Sequence, residues 1–158
     1  MALNLTSNGA PAADFEVPLE MLAACHGRMQ HQCATLLRLV SHLQAHGTDL
    51  SAQQAAGAIM RYFDTAARHH IEDEEVDLFP ALLESMAGSD AVCLREMTAS
   101  LRAEHRTMER RWASLRQELA RIAEGTAATL ADADVPGFVD LYEQHMAREE
   151  AELLPMAA

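Results

Sequence analysis

The sequence predicts an all-α fold, an up-down-up-down bundle of four helices preceded by an extended N-terminal arm. Strand signals are weak, because runs of β-branched residues are few and aromatic residues make up only 4% of the chain. Apolar residues recur at three- and four-residue spacing in four segments, and glycine, proline and polar residues separate these segments. The chain has 158 residues, 49% of them apolar, which is enough for one domain with a real core. We expect the arm at residues 1–17 and the bundle at residues 18–158.

The first two predicted helices account for the N-terminal half of the bundle. Helix A is expected at about residues 18–46, with a proline in its first turn and a glycine after its end. Helix B is expected to begin behind a cap at Asp49 or Ser51 and to run to about residue 86. Pro80 lies inside it and should kink or break it, because proline lacks the N–H of the helical hydrogen bond.

The last two predicted helices follow a break at Gly88. Helix C is expected to open at Ser89 or Asp90, to run to about residue 124 and to close at Gly125. A polar loop then leads to helix D, at about residues 136–156.

One motif occurs twice, as "HHIEDEEVDLFP" in helix B and "HMAREEAELLP" in helix D. Each copy places glutamates four and five residues after a histidine, a leucine after eight and a proline after ten. The corresponding residues are His70, Glu74, Glu75, Leu78 and Pro80 in one copy, and His145, Glu149, Glu150, Leu153 and Pro155 in the other.

Each helix carries a histidine in its apolar stripe, and three helices carry a glutamate one turn later. The first three histidines lie at similar distances along their helices from the connecting turns, so they should fall in about one layer of the bundle. The long loop before helix D can bring the fourth histidine to the same layer. Buried glutamates are rare unless they are paired or bind a metal. Imidazole and carboxylate suit iron, manganese or zinc. Seven ligands are too many for one tetrahedral zinc and fit two ions that share carboxylates: His26, His70, Glu74, His105, Glu109, His145 and Glu149.

A more ordinary interpretation applies to any one of these pairs, because a single His-xxx-Glu on a helix is usually a surface pair. Three such pairs in register, with a fourth histidine on helix A, favour a metal site. The neighbouring Glu75 and Glu150 are expected to support the ligands or to lie at the surface. Glu104 points about 100° away from His105 and is an open candidate, and Tyr142 can hydrogen-bond to the site.

This pattern resembles the hemerythrin-like family, or HHE cation-binding domain, over about residues 18–156. The resemblance implies a four-helix bundle around a non-haem centre of two iron ions with an oxo or hydroxo bridge, in which Glu74 and Glu149 also bridge the ions. The oxygen-carrying members have a second histidine where this chain has Glu109. A carboxylate there is more similar to oxygen-activating di-iron enzymes or to the related iron-centre repair proteins. Those repair proteins carry a further N-terminal domain with a cysteine, for which we expect no room here.

Three functions follow as hypotheses. The centre binds oxygen or nitric oxide, or senses or stores iron; or it activates oxygen or peroxide as an enzyme; or it stabilises a bundle that binds another protein. The net charge of −12 argues against nucleic acid or an anionic membrane surface as the main partner. No segment has the length of a membrane span, and residues 1–20 lack the pattern of a secretory signal. Three scattered cysteines favour reduced thiols and a cytoplasmic location.

Overall fold

The computed structural model describes residues 18–86 and 88–157, and all regular secondary structure in these residues is helical. The predicted arm, residues 1–17, lies outside the described residues. Helix A corresponds to α1, Pro18–His46, and helix C corresponds to α5, Ser89–Ala123. Both helices are uninterrupted, as predicted.

The second and fourth long helices are each divided into shorter elements. The second comprises α2 (Leu50–Asp64), α3 (Ala66–Glu72), a π-helical segment π1 (Asp73–Leu78) and α4 (Phe79–Ser85). The fourth comprises α6 (Val135–Arg148), a second π-helical segment π2 (Glu149–Leu153) and α7 (Leu154–Ala157).

Local side-chain and backbone interactions fix the helix ends. The Asp49 carboxylate accepts a hydrogen bond of 2.8 Å from the Ala52 N–H and so caps α2. The end of α5 is a glycine-based turn in which Gly125 has a φ of 75°. The N–H of Gly125 bonds to the Ile122 carbonyl at 2.9 Å, and the N–H of Thr126 bonds to the Arg121 carbonyl at 2.8 Å.

The interruption of helix B at Pro80 is a π-turn, and the same turn precedes Pro155. In both copies of the motif, the residue before the proline donates its N–H to a carbonyl five residues back: Phe79 to Glu74, and Leu154 to Glu149. A proline ring would collide with the carbonyl four residues back, and the wider turn avoids this collision. Helix B is therefore not one continuous α-helix.

Apolar residues just before each proline reach the core. Phe79 is fully buried, and Leu78 is partly buried and packs in the same apolar cluster. In the second copy, Leu153 is fully buried and Leu154 is partly buried. Packing against the neighbouring helices therefore decides which residue before the proline is buried more deeply.

The long helices pack in a closed ring, in which α1 contacts α2, α2 contacts α5, α5 contacts α6 and α6 contacts α1. No helix in residues 18–86 and 88–157 combines the length and apolar character needed to cross a bilayer.

The apolar core has two separate clusters, and the predicted ligands lie between them. The larger cluster contains Ala67, Met108 and Tyr142. The smaller one contains Phe79, Leu101 and Leu153 with two other leucines. On the second, third and fourth long helices, the histidines and buried glutamates come between a residue of one cluster and a residue of the other. The ring of helices thus encloses a polar layer between two apolar layers.

Gly27 and Gly47 allow a matched test of where α1 ends. Gly47 has a φ of 67° and Gly27 lies within α1, and a Cβ added to either would meet nothing within 4 Å. We expect Gly47→Ala to lower the free energy of unfolding by about 1 kcal/mol, because an L-residue is strained in that conformation. We expect Gly27→Ala to raise it by up to about 1 kcal/mol. Urea unfolding measures both; an unchanged or raised stability of Gly47→Ala would contradict the assignment of Gly47 as the strained helix end.

Candidate metal centre

Four histidines and two glutamates from all four long helices meet in the polar layer. Each is buried, with at most 6% of the residue exposed. Helix α1 contributes one histidine, α5 contributes one, and each copy of the repeated motif contributes one histidine and one glutamate: His26, His105, His70 with Glu74, and His145 with Glu149.

The six side chains form two groups that share both carboxylates. The first group is His26, His70, Glu74 and Glu149, and the second is Glu74, His105, His145 and Glu149. Within each group, the potential ligand atoms lie within 4.8 Å of one another. Two imidazoles and two carboxylates per group are a donor set that suits first-row metal ions.

Each shared carboxylate directs one oxygen toward each group. The Oε1 of Glu74 lies 2.8 Å from the Nε2 of His70, and its Oε2 lies 3.1 Å from the Nε2 of His105. The Oε2 of Glu149 lies 2.9 Å from the Nε2 of His26, and its Oε1 lies 3.0 Å from the Nε2 of His145. A carboxylate in this position can bridge two ions.

Three of the four shared carboxylate oxygens receive no hydrogen bond from the described residues. Both oxygens of Glu74 and the Oε1 of Glu149 are buried without a donor. Nearby imidazole nitrogens approach them, but these contacts lack hydrogen-bond geometry. Leaving an ionised carboxylate buried and unsatisfied is costly, whereas a cation between nitrogen and oxygen would satisfy both. The arrangement therefore fits bound metal.

A second set of carboxylates holds the other nitrogen of three histidines. The Nδ1 of His26 lies 2.9 Å from Glu150, that of His105 lies 2.7 Å from Glu75, and that of His145 lies 2.6 Å from Glu104. An Nδ1–H that donates to a carboxylate fixes the ring and leaves the Nε2 lone pair for a metal ion. All four Nε2 atoms face a shared carboxylate, so this tautomer is the one that metal binding requires.

The fourth histidine, His70, has no supporting carboxylate among the described residues. The Cys25 thiol is its neighbour, and the Arg28 guanidinium donates to the Cys25 sulfur at 2.9 Å. The interaction with His70 is the largest influence on this thiol and lowers the pKa of Cys25 despite partial burial.

The three supporting carboxylates are anchored to different degrees. Glu104 accepts a hydrogen bond from the Arg148 guanidinium, which also donates to Ser100 at 2.7 Å. Glu75 is paired with two arginines of α5. The Glu150 side chain is 46% exposed, and His26 is its one hydrogen-bond partner among the described residues. The second group is therefore supported more rigidly than the first.

The charges of the site are mutually stabilising. Burial disfavours the imidazolium of His70, but its contacts with Cys25 and Glu74 outweigh burial and raise its pKa to about 10. Burial likewise opposes charge on His26 and His145, and Glu149 raises the pKa of both. Burial alone would raise the pKa of Glu149, but the two histidines lower it. Metal ions and protons therefore compete for the same nitrogens.

The structure brings six of the seven predicted ligands together and leaves Glu109 apart. The Glu109 side chain is 48% exposed, belongs to neither group and pairs with Arg106 at 3.2 Å. The reason is the helical phase of α5, in which Met108 is buried three residues after His105. Glu109 follows Met108 directly and is turned about 100° away from it. We therefore leave Glu109 out of the proposed ligand set.

Other predicted neighbours have more specific positions than the sequence suggested. Glu104 does not approach His105 on its own helix but holds His145 on the fourth helix. Tyr142 is buried against Phe63 and Phe138, and it makes no hydrogen bond to a ligand within the described part of the chain. The role of Cys25 was missed; its position directly before His26 was the available signal.

The fold and the site together define a class: a helical domain with buried His/Glu groups that can hold metal ions. A family model described as the hemerythrin HHE cation binding domain matches residues 17–157, so the chain belongs to this family of metal-binding domains. An uncharacterised protein of Haemophilus influenzae is 29% identical over 138 residues, which cover 87% of this chain and 77% of that protein. No solved structure matches at a significant level.

The unequal anchoring of the supporting carboxylates predicts unequal effects of their removal. We expect Glu104→Ala to weaken metal binding by about 10- to 100-fold, because His145 loses the acceptor that orients it. Glu104→Gln, which keeps an acceptor oxygen, should lose less. Glu150→Ala should also lose less, because Glu150 is already exposed and unanchored. Titration with ferrous ion against a chelator measures the affinities, with Glu118→Ala on the same helix as the control. Equal losses for Glu104→Ala and Glu150→Ala would contradict this hierarchy.

Proposed function

We propose that the chain is a non-haem di-iron protein that binds oxygen or nitric oxide in the core of its bundle. The observation that carries this proposal is that two four-residue groups share both Glu74 and Glu149, with one oxygen of each carboxylate directed to each group. One isolated ion would not use two bridging carboxylates. Membership of a cation-binding family supports a metal, and the mixed nitrogen and oxygen donors support iron.

The count of ligands supports open coordination positions. Each group offers two imidazole nitrogens and two carboxylate oxygens, fewer donors than an octahedral ion takes. Two divalent ions would bring four positive charges, and the two carboxylates would neutralise two of them. A bridging oxide or hydroxide, as in the family, would reduce the remaining positive charge. Bound iron would supply the open positions and the electrons with which a diatomic ligand is held.

The surroundings favour a small ligand over a large one. The six proposed ligand residues are at most 6% exposed, and apolar clusters lie above and below them. The ring of Phe79 is stacked parallel to His105, with ring centroids 6.2 Å apart. Such walls would limit the entry of water and favour a ligand as small as a diatomic molecule.

The position of Glu109 bears on the alternative of an oxygen- or peroxide-activating enzyme. That alternative drew its support from a third carboxylate ligand, and the exposed, arginine-paired Glu109 does not supply one. Reversible binding is therefore the better-supported function.

We propose two further features on the same basis. Alternating up and down helices are supported by the short connections after α1 and α4 and by the ring of contacts between sequential helices. A cytoplasmic location is supported by Cys25, Cys33 and Cys93, which form no disulfide among the described residues.

The di-iron proposal predicts a pattern of iron stoichiometry. Wild-type protein loaded with ferrous iron should hold about two ions per chain. His26→Ala removes a ligand from one group and should leave about one, whereas Glu74→Ala removes a ligand from both and should leave less. Glu109→Ala should keep both ions, because this side chain lies outside both groups. Metal analysis after desalting gives the counts. One ion or none in the wild type would overturn the proposal, and loss of iron from Glu109→Ala would restore Glu109 to the ligand set.

Reversible binding predicts a specific response to oxygen. Reduced, iron-loaded protein exposed to oxygen should develop a visible absorbance band that disappears when oxygen is removed and returns when oxygen is readmitted. Repeated cycles followed by absorbance measure this property, and nitric oxide should compete with oxygen for the same sites. Irreversible bleaching in the first cycle would favour oxygen activation instead.

A further inference from the structure

A surface cleft of about 550 Å³ adjoins the candidate metal centre. This volume lies within the range of small-molecule binding sites. Its lining includes three residues that are close in sequence to proposed ligands. Ile71 follows His70 by one residue, Arg106 follows His105 by one, and Tyr142 precedes His145 by three. Three residues span about 5 Å along a helix, so the inner end of the cleft is within roughly one turn of the centre.

The inner wall of the cleft is aromatic. Phe63 lies between Trp112 and Tyr142, with ring centroids 4.9 Å and 5.4 Å away. The indole N–H of Trp112 donates to Asp64 at 2.9 Å, so the polar atom of that ring is already satisfied. Such a wall suits a flat, apolar body, which gains from burial and from aromatic contact.

The rim of the cleft has a surplus of positive charge. Three arginines, Arg68, Arg106 and Arg116, face two acids, Asp64 and Glu109. This surplus contrasts with the net charge of −12 of the whole chain.

Two of the three arginines are already paired. Arg116 binds both oxygens of Asp64, at 2.9 and 3.0 Å, and Arg106 pairs with Glu109 and with Glu75. Arg68 makes no hydrogen bond or ion pair with any residue in the described ranges. It is the cation of the rim that remains available to an anionic ligand.

We propose that this cleft binds an organic monoanion that carries a carboxylate at one end and an aromatic ring at the other. A guanidinium presents two parallel N–H donors that match a carboxylate, so Arg68 holds the charged end of the ligand. The ring of the ligand packs on Trp112, the partly exposed ring of this wall, which Phe63 and Tyr142 support from behind. This binding goes beyond the proposed di-iron function and does not require it, because no cleft residue is a proposed ligand.

The experiment uses 3-phenylpropanoate as the probe and 3-phenylpropanamide as its neutral counterpart. Trp112 is the one tryptophan of the chain and lines the cleft, so its fluorescence reports occupancy directly. Calorimetry measures the affinity independently, in both iron-loaded and metal-free protein. We expect the acid to bind at least about 10-fold more tightly than the amide, the difference of a charged hydrogen-bonded pair.

Two substitutions should move the affinity for the acid in opposite directions. Arg68→Met, which keeps an apolar stem, should weaken it by roughly 10-fold. Glu109→Gln removes a negative charge from the rim and should strengthen it by roughly 2- to 5-fold. Arg61→Met changes an exposed arginine of α2 outside the cleft and should have no effect.

Several outcomes would overturn the proposal: no binding of the acid, equal affinity for acid and amide, or an affinity unchanged by Arg68→Met. Binding that requires iron and ignores Arg68→Met would show that the acid coordinates the metal instead of occupying the cleft. Failure of iron loading, with Arg68-dependent binding retained in metal-free protein, would contradict the di-iron proposal and support the cleft.

Discussion

Two carboxylates buried side by side are the constraint on which the rest of this structure depends. Glu74 and Glu149 have no exposed surface, and three of their four oxygens have no hydrogen-bond donor among the described residues. Burying such groups is unfavourable unless positive charge surrounds them. Four imidazoles converge on them for this reason, and further carboxylates hold the far side of three imidazoles. The two buried glutamates thus lie at the centre of the polar layer, the histidines surround them, and the further carboxylates hold the histidine rings.

The repeated motif encodes a local structure as well as a pair of ligands. In both copies a proline ten residues after the histidine forces a π-turn, and this turn begins at or beside the shared glutamate. The next glutamate then supports a histidine of another helix: Glu75 holds His105, and Glu150 holds His26. Each copy therefore supplies a histidine, a shared carboxylate and a supporting carboxylate within six residues.

Much of this arrangement could be predicted from the sequence, because its signals are local. Glycines with positive φ end α1 and α5, Asp49 caps α2, and helical spacing places four histidines and two glutamates on inward faces. The structure departs from the expected positions where spacing alone is insufficient. Glu109 has the same spacing from its histidine as Glu74, but Met108 takes the buried position on α5. The deeper burial of Phe79 beside Leu78 and the partner of Glu104 both depend on packing between helices.

The order of the ligands along the chain has a consequence for how the protein matures. Glu149 belongs to both groups and lies 123 residues after His26, its partner across the bundle. Neither group is complete until the last long helix has joined the other three, because Glu149 belongs to both groups. Ions bound to the finished centre would act as cross-links that close long loops between all four helices, restricting the unfolded chain as a disulfide does. Metal binding at this centre would therefore require that all four long helices have folded together.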